Sequence, residues 1–434
     1  MEKPLTAVTA TELITKLEKE LIKVIEENSI QFDQIDKFVS GLTGYGYPGI
    51  DLTTSIEFYK ELHGRMKKAN KLNAISDRLI YDQILFGLIA KLLYYPKDRQ
   101  VILEEIPQKI EALAQYRPTW EIDIPVINLE LARDKFEFAN VHLTKITNRD
   151  REVTNHNLWW ESIQSKYGKS IAEFSCVSYA RIICQTDMDT SLEAAQDYLN
   201  QVLLIIRAIG FPWETKYQIQ IGSFGEFDYY EARPHRLNKA SANYKLEPNN
   251  SFVFYPTHGT RPYNLETELL NAIKQSTLAT VIASYAHEIS GKSTDMEKKL
   301  LSGLRWIGEA TKPDTTNSRY VKLAIAMEIL LGGEKAGSEF ITFKGLSAMY
   351  EERAAHLMGN EIKGKLEIAS KVRSYYKARS DVVHNNFNIS PQQLIEFGNF
   401  MRQLSLIIVE KLEDFPSLES YYAWFTNRRY SASH

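Results

Sequence analysis

The sequence predicts an α+β protein of several domains, with a mostly helical N-terminal part, a mixed α/β middle and an all-α C-terminal bundle. Three observations lead to this fold class. Apolar residues recur at helical spacing up to residue 115, alternate with polar residues in much of 116–264, and return to helical spacing from Leu265 onward. Because 434 residues exceed the size of one ordinary core, we expect three domains, at residues 1–115, 116–264 and 265–434.

Element boundaries in the first two domains follow from these patterns. Leu13, Leu17 and Leu21 mark the apolar face of a first helix, with Thr11 as its expected N-cap. Further helices are predicted at Thr53–Ala69, Ile75–Tyr94, Ile102–Gln115 and Leu192–Ile209. Strands are predicted at Trp120–Leu131, Phe136–Leu143, Ala180–Gln185, Tyr217–Ile221, Glu226–Glu231 and Phe252–Tyr255.

The third domain shows only helical patterns. Its helices are predicted over residues 265–289, 295–311, 318–331, 343–358, 361–384, 391–414 and 417–427. Turn-forming pairs such as Ser290-Gly291, Gly332-Gly333 and Phe415-Pro416 separate them.

Charge and composition narrow the class of protein. A net charge of −3 means that contact with nucleic acid requires a local basic patch. Two cysteines, Cys176 and Cys184, are too few for a disulfide framework or a zinc set. The N-terminus runs directly into charged helical sequence, and no apolar run approaches the roughly 20 residues that span a bilayer. We therefore expect a cytoplasmic protein without a membrane partner, a metal or a cofactor.

The most informative segment is Tyr375–Asn386, which places Arg379 and His384 near the end of a long predicted helix. Arginine is a permanent cation whose planar fork fits phosphate. Histidine takes up or releases a proton near neutral pH. The two residue types together fit cleavage of an RNA phosphodiester by its own 2′-hydroxyl, a reaction that needs no metal.

The spacing of the two residues is weak evidence alone. With 20 arginines and 9 histidines, chance gives ~0.4 matches at any one spacing. Arg151 and His156 form such a match in a polar stretch, which we interpret as coincidence. Positions five apart also lie about 140° apart around an α-helix, so we expect a site shared between subunits or a loosened last turn.

The context of the motif resembles the HEPN superfamily of helical ribonuclease domains, in particular its Apea-like branch. The resemblance covers roughly Leu265–Phe425 and does not extend to the first 260 residues. An ordered set of segments carries it, namely Leu304–Ala310, Ala324–Leu331, Met349–Ala355 and the Arg379-x4-His384 motif with Tyr375–Ser380 before it.

This resemblance implies a C-terminal HEPN helical bundle and a metal-independent endoribonuclease. Family members dimerise so that two motifs face each other across a symmetric cleft, which implies a homodimer here. Arg379 then orients and stabilises the phosphate, His384 moves the proton, and Ser380, Asp381 and Asn385 give polar support. The implied products are a 2′,3′-cyclic phosphate and a 5′-hydroxyl. Apea-like proteins are associated with antiphage defence and toxin-like RNA cleavage, which implies an RNase held in check until a trigger arrives.

Several nearby residues have two interpretations each. Glu328 lies amid apolar residues, so it is either a supporting partner of Arg379 or Arg353, or a merely structural or exposed carboxylate. The motif helix is locally basic, which favours RNA contact but equally fits a solvated helix face. The candidates for RNA contact are Lys377, Arg373 and Tyr375. Base stacking is one role for Tyr375 and its neighbour Tyr376, and a place in the core is the other.

Two functions remain open at this point. In the first, residues 1–264 sense a trigger or bind a partner, such as a regulatory protein or a phage-derived molecule, and the C-terminal domain cuts RNA. In the second, the chain is a non-catalytic HEPN module that binds nucleotides or proteins in a defence or regulatory complex. The presence of both Arg379 and His384 favours the enzyme.

Overall fold

The structure, a computed structural model, is mostly helical and contains a small antiparallel sheet, which confirms the fold class at this coarse level. It describes residues 7–27, 55–57, 59–61, 63–64, 75–80, 82–83, 88, 90–116, 119–127, 129–145, 178–185, 187–210, 213, 221–223, 263–265, 269, 273–312, 314–333, 339–385 and 387–431.

The chain forms two compact units. Unit 1 comprises Met1–Ile122 and Ile183–Ala195, and unit 2 comprises Asp123–Ile182 and Gln196–His434. Unit 2 therefore combines part of the predicted middle domain with the C-terminal helices. The borders of the three predicted domains stay a prediction.

Unit 1 is helical in its described N-terminal part. Its helices are α1 (Ala7–Glu27), α2 (Asp77–Ile80), α3 (Lys91–Tyr94) and α4 (Arg99–Gln115), with a 3-10 turn at Pro96–Asp98. Leu17 and Leu21 of α1 are fully buried, as the apolar spacing predicts. Glu18 is buried beside them, and the Arg99 Nε donates to its two carboxylate oxygens at 3.0 and 3.1 Å. A buried carboxylate needs such a cation.

The sheet has five strands in the order β3-β4-β5-β1-β6. These are β1 (Thr119–Ile127), β3 (Lys135–Phe138), β4 (Val141–Lys145), β5 (Ser178–Gln185) and β6 (Gly222–Ser223). A separate parallel pair joins β2 (Leu129–Glu130) to β7 (Tyr263–Asn264). The strand predicted over Ala180–Gln185 is confirmed, and the one predicted over Trp120–Leu131 is divided into β1 and β2, which belong to different sheets. The strands predicted at Glu226–Glu231 and Phe252–Tyr255, and most of the one at Tyr217–Ile221, lie outside the described residues.

The prediction of one strand over Phe136–Leu143 is wrong. The segment is a hairpin, in which Lys135 of β3 faces Thr144 of β4 and Phe138 faces Val141. Its turn lies at Ala139 and Asn140, and Ala139 takes a positive φ of 54°. Asn140 is a residue type that turns favour, but one asparagine without a neighbouring glycine is a weak turn signal.

A long helix, α5 (Met188–Gly210), confirms the prediction over Leu192–Ile209. Its residues from Gln196 onward belong to unit 2 and pack closely on the C-terminal helices. A Cβ on Gly308 would lie 2.2 Å from the carbonyl oxygen of Leu204, so the two backbones are nearly in contact there. Gln201 also accepts a hydrogen bond of 2.8 Å from Arg305.

The C-terminal part of unit 2 follows the predicted helices closely. They are α6 (Gln275–Ile289), α7 (Asp295–Thr311), α8 (Thr316–Leu331), α9 (Glu339–Met358), α10 (Ile362–Asn385), α11 (Pro391–Glu410) and α12 (Leu418–Ser431), with a 3-10 turn at Leu412–Asp414. The helix predicted over residues 265–289 is shorter, because α6 begins at Gln275. Two boundaries have a clear local cause, since Thr294 and Ser390 form capping boxes at the starts of α7 and α11.

The core of this helical part lies along α7, α8 and α11. Leu304, Leu323, Phe397 and Leu404 are fully buried there. By contrast, α10 buries only Val372 completely, so it lies at the surface of the bundle. Within the described part of the chain, no helix combines the length and the apolar character that crossing a membrane requires.

We expect Gly398→Ala to lower the free energy of unfolding, because a Cβ there would lie 2.0 Å from the ring of Trp213. Forcing a methyl group into a packed contact costs about 1–3 kcal/mol. Gly364→Ala in α10 is the control, since a Cβ there meets nothing within 4 Å. Alanine in place of a helical glycine stabilises by about 0.5–1 kcal/mol. Urea denaturation followed by tryptophan fluorescence measures both variants, and equal midpoints would contradict the packing.

Candidate active site

Arg379 points toward the interior of the bundle. Its Nε lies 3.5 Å from Oε1 of Glu328 in α8, and both side chains are 28 % exposed. The Nε atom itself is shielded from solvent and lacks a hydrogen bond of regular geometry. Of the two arginines predicted as partners of Glu328, the ion pair is therefore formed by Arg379, while Arg353 donates from Nη1 to the carbonyl of Leu331 at 2.5 Å.

Two tyrosines lie close to this ion pair. Burial, followed by the charges of Glu328 and Tyr376, raises the pKa of Tyr350 to about 12, although Arg353 and Arg379 oppose the shift. The hydroxyl of Tyr350 therefore stays protonated at neutral pH. The rings of Tyr350 and Tyr376 pack with centroids 5.6 Å apart. This contact favours the core interpretation of Tyr376.

His384 lies in the last turn of α10 with an exposed side chain. Among the described residues, its imidazole makes no hydrogen bond or ion pair. The neighbouring amide of Asn385 donates to Asp381 at 3.0 Å, and Ser380 is half-buried. Besides Glu328, the other three predicted supporting residues thus lie beside the motif, and two of them bond to each other.

The two motif side chains have different surroundings. Arg379 contacts α8, whereas the imidazole of His384 is open to solvent. This agrees with the angle of about 140° that separates positions five apart on an α-helix.

The candidates for RNA contact differ in their surroundings. Lys377 is exposed and lies two residues before Arg379 in the sequence. Arg373 is also largely exposed, but its Nε and Nη2 donate to Glu351 of α9 at 3.1 and 2.6 Å. The carboxylate therefore offsets part of its charge. The hydrogen bond to Glu351 and the charge of that carboxylate raise the pKa of Arg373, and the smaller effect of burial lowers it.

Tyr375 packs inside the bundle. Its ring stacks on Phe397 of α11 with centroids 4.4 Å apart and lies 5.2 Å from Phe400. Burial raises the pKa of its hydroxyl to about 12. This packing favours the core interpretation of Tyr375 over base stacking.

The carbonyl end of α8, one turn beyond Glu328, holds a cluster that the sequence patterns did not indicate. The Lys299 Nζ donates to the carbonyl of Gly332 at 2.6 Å, and the Tyr421 hydroxyl donates to that of Leu330 at 2.8 Å. With Arg353, two cations thus face the negative end of the helix dipole. No pattern could indicate this cluster, because its members come from four separate helices or loops.

Neither a metal-binding cluster nor a match to a known protein was found for the candidate site. Across the described ranges, no group of three or more His, Cys, Asp or Glu side chains is placed to hold a metal ion. Comparisons with protein-family models, curated proteins and solved structures found no match to this chain. The resemblance of the sequence motifs to HEPN domains therefore stays a prediction.

We expect the wild type to gain stability relative to Lys299→Met as the pH rises from about 8 to 10.5. Burial, and then the charge of Arg353, lowers the pKa of Lys299 from 10.5 to about 8 in the folded protein. Between these values only the unfolded chain holds the proton, so a higher pH favours the folded state, by about 3 kcal/mol over the full interval. Below pH 8 both states are charged and the difference is constant.

Urea midpoints of the two proteins from pH 7 to pH 10 measure this effect. The variant is the control for every other group that titrates in the same interval. A difference between the two proteins that stays flat with pH would contradict the burial of a charged Lys299.

Proposed function

We propose that this protein is a metal-independent endoribonuclease of the HEPN type, with Arg379 and His384 as its catalytic residues. The observation that carries the proposal is the arrangement of Arg379 and His384 near the C-terminal end of α10. Arg379 is held by Glu328 at 3.5 Å, and His384, five residues later, is exposed and without a partner among the described residues. One group is fixed and cationic, and the other is free to exchange a proton with a substrate.

The reaction follows from these two groups. The 2′-oxygen of one ribose attacks the adjacent phosphorus and loses its proton to a base. The bond from phosphorus to the 5′-oxygen breaks, and that oxygen takes up a proton. His384 serves as the proton carrier, and Arg379 stabilises the charge that develops on the phosphoryl oxygens. The products are a 2′,3′-cyclic phosphate and a 5′-hydroxyl.

A homodimer supplies the geometry that one subunit lacks. Arg379 and His384 point in different directions, so Arg379 of one subunit and His384 of the other are proposed to share a phosphate. Val383, next to His384, is 50 % exposed, and Phe387, just beyond it, is 44 % exposed. Exposed apolar side chains of this kind favour burial in an interface. A two-fold axis close to them brings two motifs together.

The biological role proposed is that of a toxin-like effector in antiphage defence. Residues 1–264 would restrain the ribonuclease or bind its trigger, such as a regulatory protein or a phage-derived molecule. This part of the proposal rests on the sequence resemblance and on the absence of a catalytic motif from that region of the sequence. The non-catalytic binding module is the alternative that the first experiment separates from the enzyme.

We expect the purified protein to cleave total RNA in the presence of EDTA, and Arg379→Ala and His384→Ala to reduce the rate by about 100-fold or more. General acid–base catalysis and oxyanion stabilisation each contribute factors of this size. Arg379→Lys keeps the charge but loses the planar fork, so it should restore only part of the rate. End-group analysis of the fragments reports the chemistry.

Lys371→Ala is the matched control, because Lys371 is an exposed cation of the same helix. It should cleave like the wild type. Equal cleavage by all variants would overturn the assignment of the site. If the wild type leaves RNA intact both in solution and in phage-challenged cells, the binding module replaces the enzyme.

We expect a heterodimer of Arg379→Ala and His384→Ala chains to recover about half of the wild-type rate. If each site takes its arginine from one subunit and its histidine from the other, one of the two sites in the heterodimer is intact. Co-expression of the chains with different affinity tags, followed by two-step purification, isolates this species. Recovery close to zero would show that each site lies within one subunit.

A further inference from the structure

The side chain of Asn317 forms hydrogen bonds to the backbone of Phe387 and Ile389, which follow the end of α10. The Asn317 Nδ2 donates to the carbonyl of Phe387 at 3.0 Å and lies 3.5 Å from Oδ1 of Asn388. Its Oδ1 accepts from the backbone N–H of Ile389 at 2.9 Å. A single amide thus bonds the backbone on both sides of residue 388. Since each amide offers donors and an acceptor, this contact uses both functions at once.

Asn317 lies on the same helix as the residue that contacts Arg379. It lies in the first turn of α8, after Thr315, which caps the helix. Glu328, which holds Arg379, lies eleven residues later on the same helix. One helix therefore contacts both the arginine and the segment that adjoins the histidine.

The position of His384 depends on the backbone around it. Its imidazole has no partner among the described residues, so no side-chain contact there orients it. The N–H of Phe387 donates to the carbonyl of Asp381 at 3.2 Å, which closes the end of α10 around His384. Beyond that bond, Ile389 is buried and anchored by Asn317. The end of α10 is therefore fixed by its own backbone bond to Asp381 and by the bond from Ile389 to Asn317 of α8.

We propose that Asn317 is a positioning residue that sets the location of His384. The amide anchors the segment directly after the motif, and the segment fixes where α10 ends and where the imidazole stands. This inference rests on the proposed function for its effect on catalysis, but the effect on His384 itself is independent of that function.

The experiment compares Asn317→Ala and Asn317→Asp with Asn388→Ala. Asn388 belongs to the same segment, and its side chain is the most distant of the three partners of Asn317, so its removal should change kcat and KM less than twofold. Asn317→Ala should lower kcat about tenfold or more with KM within twofold, because a small displacement of a catalytic group has a large effect on rate. An unchanged kcat would overturn the proposal.

Asn317→Asp separates positioning from folding. The aspartate keeps an acceptor for the N–H of Ile389 but loses the donor to Phe387, and a carboxylate in the first turn of α8 stabilises the helix. Its thermal midpoint should therefore match or exceed that of the wild type, while kcat still falls. A kcat that rises and falls only with the thermal midpoint would show a merely structural role and overturn the proposal.

A measurement without RNA distinguishes this inference from the ribonuclease. In protein labelled with ¹³C at histidine, His384→Ala identifies the resonance of the His384 imidazole. Asn317→Ala should shift and broaden that resonance, while Asn388→Ala leaves it unchanged. If the wild type does not cut RNA but this shift is present, the ribonuclease fails and the positioning stands. If the wild type cuts RNA and neither the resonance nor kcat responds, the positioning fails alone.

Discussion

The ion pair between Arg379 and Glu328 is the contact on which the candidate site depends. Removing one partner of a buried pair costs about 3–5 kcal/mol, whereas an exposed pair contributes about 0–1 kcal/mol. With both side chains 28 % exposed, this pair lies between these limits. It is shielded enough to hold the guanidinium against α8, and part of the guanidinium side chain remains exposed to solvent. Lys299 and Arg353 donate hydrogen bonds to carbonyls at the end of α8, the helix that presents the carboxylate.

The residues of α10 differ in exposure because the helix lies at the surface of the bundle. The helix buries only Val372 completely, so its inward face is narrow and its outward face is broad. Tyr375 and Tyr376 use the narrow face to attach the helix to α11 and α9. Arg379 continues that face, while His384 lies on the other. The same helix thus anchors one motif residue in the protein and offers the next to solvent.

Helical spacing and capping residues predicted most of the C-terminal helices to within a few residues, and the sequence offered the pairing of Glu328 with Arg379 or Arg353 as one of two interpretations. These features are local or concern residues of opposite charge, which sequence shows directly. The hairpin at Ala139 and Asn140 was missed because one asparagine without a neighbouring glycine is a weak turn signal. Tyr375 was assigned to RNA contact because aromatic residues serve both stacking and packing, and only the position of Phe397 decides between them. Asn317 was missed because a single polar residue carries no pattern.

The use of α8 for two contacts limits how this chain can vary. Each residue advances an α-helix by about 100° and 1.5 Å. One residue inserted or deleted between Asn317 and Glu328 would turn the two side chains away from each other by that angle, and no substitution of either could restore both contacts. Related chains that keep this arrangement are therefore expected to tolerate many exchanges in this stretch but no change in its length. The number of residues there is then a better sign of kinship than their identity.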